Sequence, residues 1–193
     1  VQHVGLTKLA CLLTGAREGG EASETALYAS RRQESRPNQL SAMIYRAVWK
    51  RVFEGPEASL ASLVEAEELC APSSAGRARI RWVQAEGRLY QGRFEEAVQL
   101  FETARDIATA YDIGSLIGSL DYQLGRTLLW ACEFARAEAP LRRCVERSRS
   151  SGHRRMLQIA SNALAHLAWF MGTVDPEGFA PLVAEMDAGA EVP

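Results

Sequence analysis

The sequence predicts an all-α protein made of about five helix hairpins stacked in series. Residues 82–105 align with residues 122–145 at a constant offset of 40 positions. Apolar residues along the rest of the chain recur every three or four positions, which is the spacing of a helix with one buried face. A repeat of about 20–50 residues is typical of solenoids, in which each hairpin buries its apolar face on its neighbours. The aligned pairs are Gly92 and Cys132, Phe94 and Phe134, Ala97 and Ala137, Phe101 and Leu141, and Ala104 and Cys144.

The composition fits a globular protein and gives no general reason for binding nucleic acid or membranes. The chain has 193 residues, 47% of them hydrophobic, and a formal net charge of −2. A net charge this close to zero does not attract polyanions or anionic lipid over long distances. No apolar run approaches the length of about 18 residues that a membrane span requires. We therefore expect a cytoplasmic protein without membrane contact.

The first two of the five predicted units are the least regular. The units span residues 1–37, 38–76, 77–114, 115–154 and 155–193. The first unit pairs Gln2–Leu13 with Glu21–Arg32, and three glycines predict a break in the helix at Thr14–Gly20. The second unit pairs Gln39–Phe53 with Pro56–Leu69, because proline suits the first position of a helix.

The third and fourth units carry the repeat most clearly. The third pairs Arg77–Gln91 with Phe94–Ala110, and the fourth pairs Ser115–Ala131 with Ala135–Arg149. Pro140 lacks an amide donor, which matters little only in the first turn of a helix. The second helix of this unit is therefore expected either to begin near Ala137 or to bend at the proline.

The fifth unit is predicted to pair Met156–Met171 with a last helix that opens at Asp175 and Pro176. An aspartate cap followed by a proline in the first turn is a common helix start. The apolar face of that last helix would contain Phe179, Leu182, Val183 and Met186.

The residues shared by the third and fourth units resemble the tetratricopeptide repeat (TPR). The match consists of Gly92, Phe94, Glu96, Ala97, Phe101 and Ala104, followed by Leu124 and Gly125 in the next unit. The tryptophan and proline that often mark the start and end of this repeat are missing. The resemblance implies a right-handed α-α superhelix, with the first helix of each unit lining a concave groove. It also implies a non-enzymatic domain that binds a protein segment or a small effector in that groove.

A second resemblance concerns the junction between units at Arg105–Gly114. This segment is similar to unit junctions in the repeat regions of bacterial transcriptional regulators of the LuxR type, including the regulators that respond to maltotriose. The resemblance implies a sensory or scaffolding region inside a longer protein, so that DNA would be bound only through a domain outside this chain. Because Val1 is not an initiator methionine, we expect the chain to be a fragment.

No motif for catalysis, metal binding or cofactor binding occurs in the sequence. A P-loop ends in glycine followed by lysine, and neither Lys8 nor Lys50 follows a glycine. His3, His153 and His166 have no partner ligand at metal-binding spacing on one helix face. We therefore expect no catalytic residues, no metal and no cofactor.

The cysteines and the basic residues have ordinary structural interpretations. Cys11, Cys70, Cys132 and Cys144 share no metal-binding spacing and lie in apolar helical contexts, which predicts buried free thiols. One basic run comprises Arg142, Arg143, Arg147, Arg149, His153, Arg154 and Arg155. It predicts either a solvated face near a helix C-terminus, where cations are favoured, or a local site for phosphate or nucleic acid.

Three columns of residues recur on the first helix of successive units and form the candidate binding surface. The first column is Tyr45, Trp82, Tyr122 and Asn162; the second is Trp49, Glu86, Arg126 and His166; the third is Phe53, Tyr90, Trp130 and Phe170, with Trp169 beside it. Polar residues flanked by aromatic rings are typical of a groove for a peptide or a small molecule. The alternative is that the rings pack one helix against the next. Trp82 and Glu86 replace the lysine and asparagine of the co-chaperone clamp for a C-terminal carboxylate, so we do not expect that subtype.

The sequence is also compatible with two other functions. An uncapped end of a repeat array could form a homodimer, which would leave the groove without a ligand. An enzyme site could be assembled from Glu86, Arg126 and His166 across three helices, although a fold alone does not supply a mechanism.

Overall fold

The protein is all-α in the residues that the structure describes, and this confirms the predicted fold class. The computed structural model describes residues 16–71 and 74–173, and these ranges contain helices and turns without any strand. The helices are α1 (Ala16–Arg32), α2 (Arg36–Phe53), α3 (Pro56–Ser62), α4 (Val64–Leu69), α5 (Ala75–Tyr90), α6 (Phe94–Ala110), α7 (Gly114–Trp130), α8 (Phe134–Ser150) and α9 (Arg154–Phe170). The helices predicted at Gln2–Leu13 and after Asp175 lie outside the described residues.

Helices that follow one another in the sequence pack as hairpins within two compact units. The boundary between the units falls between Tyr111 and Asp112. In the first unit α1 packs on α2, α2 on α3, and α5 on α6. In the second unit α7 packs on α8 and α8 on α9, and α7 also contacts α9. The division into five units stays a prediction, and so does the fragment character of the chain.

The residues that define the repeat form the centre of the hairpins. Ala97, Phe101 and Ala104 on α6 are fully buried, as are Leu141 and Cys144 on α8. Their spacing of three and four residues puts them on one face of each helix. The buried face predicted from the 40-residue offset is therefore present in both units.

Helix α1 runs through the break predicted at Thr14–Gly20, since it already begins at Ala16. That prediction was wrong for residues 16–20. A Cβ atom at Gly20 would lie 2.9 Å from Cζ2 of Trp49. Glycine is present here because the indole ring of α2 occupies the space of a side chain, and not because the chain turns.

The helix predicted for Pro56–Leu69 is divided at Leu63 into α3 and α4. The amide of Leu63 donates a hydrogen bond to the carbonyl of Leu60 at 3.2 Å, which is the bond of a tighter turn than the α-helix makes. Leu63 is fully buried. The local tightening therefore directs an apolar side chain into the core of the first unit.

Pro140 lies inside α8, which begins at Phe134, so the expectation that the helix starts near Ala137 was wrong. The proline is itself buried. It occupies the seventh position of the helix, beyond the first turn where a missing amide costs nothing.

The tight turns between helices explain why one cysteine is exposed. Gly92 follows α5 with a φ angle of +75°, and Gly172 follows α9 with +65°. The residue at the equivalent place after α7 is Cys132, whose φ of +59° is unusual for a residue with a Cβ. Cys132 is exposed, which corrects the prediction of a buried thiol, whereas Cys70 and Cys144 are buried as predicted. Burial raises the pKa of the Cys144 thiol above its usual value, which favours the neutral form.

Gly125 shows how closely the helices of a hairpin approach. A Cβ atom built at Gly125 on α7 would lie 2.5 Å from Cγ of Leu141 on α8, and 3.3 Å from the carbonyl oxygen of Ala137. No side chain can be added there without moving the facing helix.

We predict that Gly125→Ala destabilises the protein. Alanine in a helix interior normally stabilises by about 1 kcal/mol relative to glycine. At position 125 overpacking should reverse the sign, with a loss of about 1–3 kcal/mol in the free energy of unfolding measured in urea. The control is Gly114→Ala at the first position of α7, where nothing lies within 4 Å of the new Cβ. A stabilisation by both substitutions would contradict the close approach.

Candidate functional site

The third predicted column is partly exposed in both units. The exposed fractions are 43% for Phe53, 52% for Tyr90, 49% for Trp130 and 55% for Phe170. A ring packed between two helices would be almost fully buried. These four residues, which we call the aromatic column, are therefore neither enclosed in the core nor fully exposed. Phe53 and Phe170 were members of the predicted column but were not among the residues selected as a site.

Glu86, the second member of the second predicted column, forms a buried ion pair in unit one. Nη2 of Arg51 on α2 lies 3.1 Å from Oε2 of Glu86 on α5, and both side chains are only about a tenth exposed. The guanidinium carbon of Arg51 also lies 5.0 Å from the ring centroid of Tyr90. Sequence reasoning missed Arg51, because its partner lies 35 positions away on another helix and no spacing rule connects the two.

The tryptophans of unit one are more enclosed than the aromatic column. Trp49 packs its indole against Gly20 of α1 and contacts Phe53, with ring centroids 5.4 Å apart. Tyr45 and Trp82 are both partly buried. The indole nitrogens of Trp49 and Trp82 are buried and have no hydrogen-bond partner in the described part of the chain. Trp49 thus contributes to the α1–α2 packing as well as to the predicted surface.

In unit two the centre of the second column is Arg126 on α7. Its guanidinium carbon lies 4.9 Å from the ring centroid of Trp130 and 5.8 Å from that of Tyr122. The Nε atom of Arg126 is buried and has no acceptor among the described residues. Residues from all three columns are therefore brought together on one face of α7, as their spacing of four predicts.

The column residues on α9 are the most exposed of the set. Asn162 and His166 are both exposed, and Trp169 is 68% exposed. The ring of Phe170 stacks on Phe134 of α8, with centroids 5.4 Å apart and planes inclined by 6°. Trp169 contacts Phe170 at 5.2 Å. This end of unit two consequently presents a cluster of aromatic rings to solvent, and Phe134 was not anticipated as a part of it.

The residues considered for an enzyme site either form other interactions or are exposed to solvent. The carboxylate of Glu86 is paired with Arg51, and His166 is exposed on α9. Within residues 16–71 and 74–173 no three metal-ligating side chains come together. None of the described helices has the length and apolar character needed to cross a membrane.

Much of the basic run has structural partners. Arg143 donates from Nε and Nη2 to Oδ1 of the buried Asp121, at 3.0 and 2.9 Å. Arg142 bonds to Glu138 on the same helix. Nδ1 of His153 accepts a hydrogen bond from the amide of Met156 and caps the start of α9. These contacts favour the structural interpretation of the run over a nucleic-acid site.

The chain is similar in fold to solved TPR-like repeat proteins. A kinesin light chain-like protein of Podosopora anserina, with nearly identical TPR-like repeats, superposes with a TM-score of 0.70 at 14% identity, covering 97% of this chain and 92% of that one. BtubC (BKLC) from P. vanneervenii superposes with a TM-score of 0.69 at 13% identity, covering 91% and 83% of the two chains. No protein-family model and no curated protein matches the sequence.

These likenesses establish a TPR-like helical repeat fold, which confirms the resemblance inferred from Gly92, Phe94 and Ala97. Solenoids of stacked repeats form extended concave surfaces that are suited to binding. At these identities the likeness concerns the fold alone, and the resemblance to LuxR-type regulators stays a prediction.

We predict that Glu86→Gln destabilises the protein by about 2–4 kcal/mol, because it leaves the guanidinium of Arg51 buried without a counter-charge. Urea denaturation gives the free energy of unfolding. Glu54→Gln is the matched control, since Glu54 pairs with Lys50 on the surface and its loss should cost less than about 0.5 kcal/mol. Equal small losses from both substitutions would show that the Arg51–Glu86 pair is screened by water.

Proposed function

We propose that the chain is a non-enzymatic module that binds segments of a partner protein, with α2 and α5 as the candidate surface of unit one and α7 and α9 as that of unit two. The observation that supports this function is the exposure of the aromatic column (Phe53, Tyr90, Trp130 and Phe170) at the same repeat position on four helices. Aromatic residues are enriched at the energetic centres of protein interfaces. Covering such a ring with a partner releases water from apolar surface, at about 25 cal/mol per Å².

A protein segment fits these residues better than a small effector does. Small-molecule sites are concave and bury most of the ligand surface. In unit two, Trp130 and Trp169 leave about half or more of their own surface in water, which is an open surface and not an enclosing pocket. Within one unit an extended segment can contact the rings of neighbouring helices in turn, and each ring then contributes to affinity.

A finer role as the sensory or scaffolding region of a bacterial transcriptional regulator rests on the segment Arg105–Gly114 alone. In this proposal the protein is cytoplasmic, and DNA is bound by a domain outside the chain. The sequence that flanks residues 1–193 in the full-length protein tests it. A neighbouring P-loop module and a helix-turn-helix would support the role, and their absence would contradict it.

Homodimerisation is the second candidate, because the ring cluster at Trp169 and Phe170 could equally be covered by another copy of the chain. Size-exclusion chromatography with light scattering separates the two candidates. A monomer that binds a peptide favours partner binding, whereas a dimer that dissociates on Trp169→Ala favours self-association.

We predict that Tyr90→Ala, Trp130→Ala and Phe170→Ala each weaken binding of peptides selected against the wild-type chain from a displayed library of random 12-residue sequences. Loss of an interface anchor costs about 2 kcal/mol, or roughly 30-fold in Kd. Fluorescence anisotropy of labelled peptides measures the affinities, and circular dichroism checks that each variant is folded.

The matched control for these variants is Tyr111→Ala. Tyr111 is 45% exposed but lies at the end of α6, outside the aromatic column. Its replacement should leave Kd unchanged. Peptides that bind every variant as tightly as wild type would contradict the proposed surface.

A further inference from the structure

Arg126 is a partly buried cation that has no counter-charge among the described residues. Its guanidinium lies against the rings of Tyr122 and Trp130, at 5.8 and 4.9 Å from their centroids. It makes no hydrogen bond or ion pair with any residue in the described part of the chain, and its Nε atom is withdrawn from water. A polar group that loses water without gaining a partner is unfavourable. An anion brought to this position would therefore be stabilised.

Unit one also places an arginine beside a column ring, but there the arginine comes from a neighbouring helix and has a carboxylate partner. Arg51 lies over Tyr90 at 5.0 Å, and Tyr90 occupies the column position that Trp130 occupies in unit two. There the carboxylate of Glu86 lies 3.1 Å from the guanidinium. The residue at the column position of Glu86 in unit two is Arg126 itself. Unit one thus combines ring, cation and carboxylate, whereas among residues 112–173 of unit two Arg126 has rings beside it and no paired carboxylate.

We propose that Arg126 receives the side-chain carboxylate of an aspartate or glutamate in a partner protein segment. The inference rests on the proposed function and names the chemistry that the surface selects. The planar guanidinium can donate two parallel hydrogen bonds to a carboxylate. The neighbouring rings exclude water from one side of that pair, which strengthens it.

A single negative charge suits the site better than a phosphate dianion. Arg126 is the only basic residue of α7. On the adjacent helix α9 the nearest arginine in sequence to His166 is Arg155, about 16 Å away along the axis at 1.5 Å per residue. His166 is exposed and the column residue Asn162 is neutral. On α7 and α9 a dianion at Arg126 would therefore find one partner cation, whereas a carboxylate needs only one.

The rings near Arg126 also indicate which kind of residue should lie next to the acidic residue in the bound segment. Trp130 is half exposed at the end of α7, and Trp169 and Phe170 are exposed at the end of α9, which contacts α7. A carboxylate held at Arg126 places the adjacent residues of the bound segment beside these rings. The preferred segment consequently carries a large apolar residue close to the acidic one.

The test uses peptides selected from the 12-residue library against the whole chain. Each acidic peptide is synthesised together with a version in which asparagine or glutamine replaces the acid. On wild-type protein the amide version should bind about 10- to 100-fold more weakly, as expected for losing a hydrogen-bonded charge pair. On Arg126→Gln the acidic peptide should lose a similar factor, and the two losses should not multiply when combined.

Arg142→Gln is the control for the change in net charge. Arg142 lies exposed on α8 beside Glu138, and its replacement should leave both peptides unaffected. The comparison of acid and amide peptides on wild-type protein remains decisive even if Arg126→Gln proves unstable. Equal affinities for the two peptides, or an acid preference that survives Arg126→Gln, would overturn the inference.

Failure of this inference can be distinguished from failure of the proposed function. If the aromatic-column variants weaken the binding of peptides that show no acid preference, the partner-binding surface is supported and the carboxylate site is refuted. If those variants do not change peptide binding, or if the library yields no binder, both the partner-binding surface and the carboxylate site are refuted. Titration with free succinate by calorimetry tests a small effector as the source of the carboxylate. Saturable binding of succinate tighter than that of the peptides, and lost in Arg126→Gln, would overturn the choice of a protein segment.

Discussion

The close approach of paired helices is the constraint on which this structure depends. Within a hairpin, a single carbon added at Gly125 would lie 2.5 Å from Leu141; between neighbouring hairpins, one added at Gly87 would lie 3.0 Å from Leu60. Small residues at these points let larger side chains of the facing helix fill the space between two backbones. The buried alanines Ala97 and Ala137 act in the same way. This packing holds the helices together, while the rings of the aromatic column remain about half exposed.

Because small residues pack the helices together, other faces of the same helices can carry exposed aromatic and charged residues. Faces built from glycine, alanine and leucine form the cores, while the third column stays half exposed in both units. The charged residues follow the same division. Glu86 neutralises Arg51 inside unit one, whereas Nε of Arg126 in unit two has no hydrogen-bond partner among the described residues. A scaffold of nearly repeated hairpins can thus vary its recognition chemistry by changing one column position.

The fold could be predicted from the sequence because its signal is periodic. The offset that aligns Ala97 with Ala137 identifies both the helices and their buried faces. The details that failed depend on contacts between distant residues. Gly20 lies within a helix and packs against Trp49 of another helix. Arg51 is buried in an ion pair with Glu86, which also lies on another helix. The exposed Cys132 could have been anticipated from its alignment with Gly92, since that position is a turn with positive φ.

Hydroxyl-radical footprinting tests most directly the claim that small residues pack the hairpins and leave the aromatic column in water. Mass spectrometry gives the oxidation rate of each ring in the native chain, normalised to its rate in the unfolded chain. We predict substantial oxidation of the exposed rings of Phe53, Tyr90, Trp130 and Phe170. Phe101, which is fully buried on α6, should be protected. Column rings as protected as Phe101 would show that they hold the helices together, and would contradict the account.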